Sequence, residues 1–171
     1  MRALIRPAQA ADTPALQAIE RDAARAFLAL PSFAFCAALP ARTQSEHERV
    51  RETGLSLILE QHGQPIGFAL ILPVDGHAHL LETAIARDHQ GRGFGRQLIG
   101  AAQAEAIGAG YREMTLTTYR DVPWNAPFYA RLGFIEILPD ATRKGLNAIV
   151  QEEVEAGFAR QKRVAMRKAL V

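Results

Sequence analysis

Apolar residues recur at intervals of three and four along Leu16, Ile19, Ala23 and Phe27, the spacing of one helix face. Asp12-Thr13-Pro14 just ahead of them reads as a helix start, with an Asp cap and Pro in the first turn. A helix is therefore predicted from there to about Ala29. Before it, Ala3 to Arg6 reads as a short strand stopped by Pro7. After it, Pro31 to Arg42 is apolar but has no period, with prolines at 31 and 40. That stretch is either loose core packing or one wall of a substrate pocket. A second short helix is predicted over Ser45 to Thr53.

The pattern then shortens. Leu55 to Glu60, Pro65 to Leu72 and His77 to Ala86 read as three successive strands, joined at His62-Gly63-Gln64 and at Asp75-Gly76 by turn signals. Helical spacing returns over Gly93 to Gly108, where Leu98, Ile99, Ala102 and Ile107 share a face. A strand follows at Met114 to Thr118, then a short helix at Ala126 to Leu132 ended by Gly133. Phe134 to Leu138 is a strand, Ala141 to Arg160 mostly helix, and Arg163 to Leu170 a closing strand. Hairpins followed by a strand–helix–strand unit imply an α/β domain around a mixed sheet. No internal repeat, linker or low-complexity segment interrupts the 171 residues, so one domain over 1–171 is expected.

Composition changes this picture little. A hydrophobic fraction of 49% and a charged fraction of 22% are those of an ordinary globular protein. The formal charge is only +2. Cations gather at Arg160, Lys162, Arg163, Arg167 and Lys168, but Val164, Ala165 and Met166 among them read as a strand with one wet face, and no nucleic-acid partner is expected. The single cysteine, Cys36, lies among Phe35, Ala37 and Ala38 and suits apolar packing; it gives no sign of an oxidising compartment. No apolar run is long enough to cross a bilayer and Met1 to Pro7 lacks a signal-peptide core, so no membrane is expected and a cytoplasmic location is the simplest.

The chemistry-bearing stretch is Gln90-Gly91-Arg92-Gly93-Phe94-Gly95-Arg96, which joins a strand to a helix. The first N–H groups of a helix have no intrahelical partner, and the macrodipole adds positive potential there. Glycines at 91, 93 and 95 let an anion approach the backbone, and Arg92 and Arg96 add charge at the rim, so phosphate is the natural guest. The plain alternative is a helix start that happens to carry glycines. An NTPase loop is excluded by the missing Gly-Lys-Ser/Thr ending, and a dinucleotide fingerprint by the missing third glycine.

Gln90-x-x-Gly93-x-Gly95 after an apolar strand resembles the Gln/Arg-x-x-Gly-x-Gly/Ala signature of the GNAT superfamily of N-acetyltransferases. Trp124-Asn125-Ala126-Pro127-Phe128-Tyr129-Ala130-Arg131-Leu132-Gly133-Phe134 is similar to that family's second hallmark, a short helix with Phe/Leu-Tyr and then Gly-Phe. The element order fits along nearly the whole chain. The resemblance implies a mostly antiparallel central sheet of about seven strands, flanked by helices and splayed at the cofactor-binding strand. It also implies acetyl-CoA as acetyl donor and transfer to an amine by direct attack in a ternary complex.

Residue by residue, the resemblance places the pyrophosphate on Gln90, Gly91, Arg92, Gly93, Phe94, Gly95 and Arg96, and the pantetheine arm along the backbone of Ala84 and Ile85. Tyr129 falls at the family's tyrosine position, where a phenol protonates the departing CoA thiolate; otherwise it packs its ring in the core. Many relatives carry asparagine seven residues before this tyrosine, where this chain has Val122. Asn125 instead either caps the short helix or bonds the pantetheine amide. The amine must lose a proton before it attacks, and two residues of the strand are candidates for the base. Glu82 is one, unless an arginine or a backbone amide satisfies it; His79 is the other, unless it is a half-exposed strand residue. His77 and His79 share a strand face, but no second cluster supports a metal. His47, His62 and His89 read as surface residues.

Three functions remain open: acetyl transfer to an amine, a CoA-binding sensor of the same fold without catalysis, and acyl transfer from a longer acyl-CoA. Phe33 and Phe35 in the segment 31–42 lean the acceptor toward a small molecule with an apolar part rather than a protein N-terminus. The closing helix and strand, Ala141 to Leu170, offer apolar surface for a homodimer.

Overall fold

A computed structural model describes residues 3–158 and 162–171. Among these residues seven strands form one sheet: β1 (Leu4–Pro7), β2 (Leu55–Gln61), β3 (Gln64–Val74), β4 (His77–Ile85), β5 (Glu113–Tyr119), β6 (Ile135–Ile137) and β7 (Arg163–Ala169), in the order β1-β2-β3-β4-β5-β7-β6. The β1–β2, β2–β3, β5–β7 and β6–β7 pairs are antiparallel, while β4–β5 is parallel. Among the described residues five α-helices accompany them: α1 (Thr13–Ala24), α2 (Gln44–Thr53), α3 (Phe94–Gly108), α4 (Ala126–Ala130) and α5 (Lys144–Glu155). This is the expected α/β class with its mostly antiparallel seven-stranded sheet. The chain divides into two compact units, Met1–Ile71 with Glu82–Ala104, and Leu72–Leu81 with Glu105–Val171.

In the first unit, Leu16, Val50, Ile58, Leu59, Phe68 and Leu98 are fully buried. Helix α1 starts at Thr13 with Pro14 in its first turn, as expected, but Asp12 does not cap it with its side chain. Its carboxylate instead accepts from the Gln9 N–H at 2.7 Å and from Arg6 at 2.8 and 3.0 Å. The helix also stops earlier than its apolar spacing suggests: Arg25–Ala29 tightens to 3-10 geometry, and Pro31–Ala38 forms a second 3-10 helix where an irregular segment was expected. Helix α2 opens one residue before the expected Ser45. Thr43 caps it, its hydroxyl accepting from Glu46 N–H at 3.3 Å while Glu46 accepts from Thr43 N–H at 2.7 Å. The β2–β3 hairpin turns on His62 and Gly63, with φ of 53° and 75°; both central residues of a two-residue hairpin turn need positive φ.

His47 corrects the surface expectation. It is fully buried on α2, its ring edge-on to Phe68 at 6.1 Å, and neither ring nitrogen has a hydrogen-bond partner. Burial pushes its pKa below the ordinary histidine value, which keeps the ring neutral. His62 is exposed as expected, whereas His89 is only partly so, its ring tilted against Phe94 at 6.3 Å.

In the second unit, Ala78, Leu80, Met114, Leu116, Leu146 and Met166 form the core. Asp75, with φ 51° in the β3–β4 turn, accepts from the N–H groups of Gly145 at 2.8 Å and Leu146 at 2.9 Å, and so binds the first turn of α5. Buried Glu113 gathers two cations, Arg143 at 2.5 Å and Arg167 at 3.1 Å, and its Oε1 also lies 3.7 Å from His77 Nε2. Arg163 meets Glu153 at 2.5 Å and lies 4.7 Å from the Tyr119 ring centroid. Two of the C-terminal cations are therefore engaged inside the fold. Val164, Ala165 and Met166 are all buried, so β7 is covered on both faces there rather than alternating. Arg160, expected at the end of the last helix and within the cation cluster, lies outside the described residues. Among the described residues the large exposed apolar side chains nearby are Ile135, Leu138 and the terminal Val171 rather than the body of α5 and β7. No described helix is long and apolar enough to cross a membrane.

Candidate active site

Strand β4 carries both residues weighed as the base, His79 and Glu82. Its parallel register with β5 runs from Ala78↔Met114 to Leu80↔Leu116 and goes no further, although β4 continues to Ile85 and β5 to Tyr119. On its other side β4 presses on β3. A Cβ on Gly67 would collide with the Ile85 side chain and lie 2.9 Å from the Ala84 carbonyl oxygen. Glycine is needed there because the two backbones come too close for a side chain. Gly67→Ala is therefore expected to destabilise the fold by about 1–3 kcal/mol as β4 is pushed aside. A lower chemical-denaturation midpoint would show it, and an unchanged midpoint would mean that β4 shifts freely.

The two candidate bases on β4 sit in different surroundings. His79 is 1% exposed, not half-exposed, and its Nδ1 lies 3.0 Å from Thr115 Oγ1 on β5. Glu82 keeps 29% of its side-chain surface and meets Arg42 Nη2 at 3.3 Å. The arginine partner weighed for Glu82 is thus present, on a carboxylate that is still accessible. Around it are two groups that the sequence pattern does not single out. Glu20 of α1 accepts from Arg42 N–H at 3.1 Å, and its carboxyl is pushed up to about 7, first by burial and then by the charge of Glu82. Gln17 donates to the Arg42 carbonyl at 2.8 Å.

Past Ile85 the chain makes a 3-10 turn at Arg87–His89, held by Asp22, which accepts from Arg87 N–H at 2.7 Å. The glycine loop then leads into α3. Gly91 and Gly93 have φ of 73° and 82°, and a Cβ at either would meet nothing within 4 Å. The loop is thus a left-handed backbone turn facing open space at a helix N-terminus, which suits an anion. Gln90, Arg92 and Arg96 are exposed. Gln90 Nε2 donates to the Ile85 carbonyl at 2.8 Å and ties the loop to the end of β4. The Phe94 ring is 6% exposed, so this residue offers an anion its main-chain N–H rather than its side chain. Ala84 is buried and Ile85 half-buried, and both similarly offer backbone.

In the second unit, Tyr129 sits on α4. It is 8% exposed, its ring edge-on to Phe128 at 5.2 Å and to Phe134 at 5.7 Å. Asn125 occupies the N-cap position of α4: its carbonyl accepts from the N–H groups of Phe128 and Tyr129, while its side chain makes no capping hydrogen bond. Val122 is fully buried. In the segment expected as acceptor wall, Phe33 is buried, while Phe35 is 45% exposed and Leu39 41%. Among the described residues no group of three or more His, Cys, Asp or Glu is placed to hold a metal.

Known proteins bear on this arrangement. The model of the acetyltransferase (GNAT) family matches residues 16–134. A mouse N-alpha-acetyltransferase 80 is 42% identical over 59 residues; the match takes in 34% of this chain and only 18% of the mouse protein's length. Among solved structures, the ribosomal-protein-S18-alanine N-acetyltransferase of Escherichia coli superposes with a TM-score of 0.68 at 20% identity, covering 99% of this chain and 94% of that one. The PaiA N-acetyltransferase of Thermoplasma acidophilum, crystallised with coenzyme A, gives 0.72 at 18% identity and 99% coverage of both chains. At these identities the structures agree in fold.

Proposed function

The chain belongs to the GNAT acetyltransferase family, and on that premise we propose that it transfers an acetyl group from acetyl-CoA to a small-molecule amine, with residues 1–171 as one functional domain. The observation that carries this reading is the glycine loop, with two left-handed glycines opening onto free space at the start of α3. Main-chain N–H groups of Gln90 to Arg96 hold the pyrophosphate, with Arg92 and Arg96 adding charge. The backbone of Ala84 and Ile85 runs beside the pantetheine, and the Asn125 side chain, which makes no cap, bonds one of its amides.

Glu82 is the base in this reading, because it is accessible where His79 is sealed among strands. The ammonium of the acceptor gives a proton to the Glu82 carboxylate, and the freed amine attacks the thioester carbon. As the carbon–sulfur bond breaks, the CoA thiolate takes the Tyr129 phenol proton. Tyr129 recovers a proton from the acylated nitrogen, so the proton on Glu82 is the one finally released to solvent. Exposed Phe35 and Leu39 favour an acceptor with an apolar part. A cytoplasmic location and homodimerisation through exposed apolar residues such as Ile135 and Leu138 belong to the same proposal.

Buried Val122 at a position where many relatives carry asparagine favours a second reading, a CoA-binding module without catalysis. One screen separates the two. Amines, amino acids and peptides are offered with acetyl-CoA and with longer acyl-CoAs, and thiol release is followed. Turnover is expected with acetyl-CoA and a small apolar amine. Turnover on peptides alone would overturn the acceptor class, and a preference for longer chains the acetyl donor. A thermal shift with CoA and no thiol release would leave the sensor.

A further inference from the structure

Gln17 and Glu20 stand one turn apart on α1 and together grip the main chain of one residue, Arg42. Gln17 Nε2 donates to its carbonyl at 2.8 Å, and its N–H donates to Glu20 Oε2 at 3.1 Å. Arg42 lies between the 3-10 helix Pro31–Ala38 and the start of α2, where no strand or helix ladder fixes the backbone. The clamp roots the guanidinium, which reaches Glu82 Oε2 at 3.3 Å and stands 3.9 Å from Glu46 Oε1. Its Nε is buried without a hydrogen-bond partner.

Charge gives the arrangement a direction. The groups facing Glu20 are Arg42, Glu82 on β4 and Glu46 on α2: one cation against three carboxylates once Glu20 is counted. We propose that Glu20 is a positioning residue for the acceptor side of the reaction: through Arg42 it places Glu82, and with Glu82 it holds the surplus negative charge that draws in a protonated amine. The inference rests on the acetyl-transfer reading and narrows its substrate class to amines that arrive as cations. Glu20 titrates close to neutrality, pushed up by burial and by its carboxylate neighbour. The surplus charge is therefore present on the alkaline side of neutrality and is lost as the pH falls through that range.

Glu20→Gln separates charge from clamp, because an amide oxygen still accepts the Arg42 N–H while the negative charge is gone. Expected are an unchanged melting temperature, an unchanged KM for acetyl-CoA and a KM for a cationic amine raised roughly three- to tenfold. The acid limb of kcat/KM that follows Glu20 should be lost, since glutamine has no carboxyl to titrate there. Superimposable pH profiles in the active protein would make Glu20 a mere tether and overturn the proposal. A readout independent of turnover is the 13C carboxyl titration of Glu20, expected near neutrality in the native chain and at lower pH in Glu82→Gln. An unmoved midpoint would also overturn it. A moving midpoint with no amine turned over by the native chain would sink the acetyl-transfer reading itself, and the positioning role with it.

Discussion

Tyr129→Phe is expected to lower kcat by roughly ten- to a thousand-fold while acetyl-CoA binds nearly as before. The substitution keeps what holds the residue in the fold. The ring still packs edge-on between Phe128 at 5.2 Å and Phe134 at 5.7 Å, and the main chain still donates to Asn125 and accepts from Leu132 and Phe134. Only the phenol hydroxyl goes, and with it the proton proposed for the departing thiolate. Any stability change should stay near about 1 kcal/mol, the scale of one hydrogen bond. A melting curve and a CoA titration on the same sample separate the effects: folding and donor binding intact, turnover lost. If turnover is unchanged, Tyr129 is a core aromatic with its hydroxyl at the edge, and the proton must come from elsewhere.

Local features were the most legible in the sequence. The two hairpins follow from His62-Gly63 and Asp75-Gly76, whose positive φ values are set within the turn itself. The glycine loop and the Tyr129 helix are likewise stretches whose residues act on their own backbone. The end of α1 was not legible, because Phe27 continues the helical spacing while the backbone has already tightened to 3-10 at Arg25; over a single turn the two geometries share one apolar pattern. The start of α2 was written in Thr43-x-x-Glu46, a capping box just ahead of the expected start. His47 was hidden by its neighbours: Gln44 to Arg49 is entirely polar, and nothing local shows that this one side chain turns inward against Phe68.

The candidate site divides in the same way. Glu82 is visible as a carboxylate on a mostly apolar strand, and Gly67 carried a usable signal, since a glycine inside a strand often marks close approach of another backbone. Glu20 and Arg42 carried none. Their meaning depends on α1, the segment before α2 and β4 arriving at one place, with Arg42 gripped by its backbone rather than by a recognisable side-chain spacing. The loop proposed for the donor is one local motif; the residues proposed to meet the amine come together from separate elements.

Gly93→Val is expected to abolish acetyl-CoA binding, read as the loss of the thermal shift that the ligand gives the native protein. Two effects combine. At φ 82° a β-branched residue is strained by about 1–3 kcal/mol, so the loop relaxes toward a backbone in which its N–H groups no longer converge. The new Cβ also occupies the open space beside Gly93, where no protein atom lies within 4 Å and where the pyrophosphate is proposed to sit. In the free protein that space accommodates the added Cβ without a clash. The ligand-free melting temperature should therefore fall only modestly, while the ligand-induced shift disappears. Gly93→Ala isolates the contributions, since alanine shares the φ penalty and adds a single methyl: if strain dominates, binding is nearly as weak as in the valine variant, and if steric exclusion dominates, much of the shift returns. A full thermal shift in Gly93→Val would move the anion away from this loop and return it to a helix start that merely carries glycines.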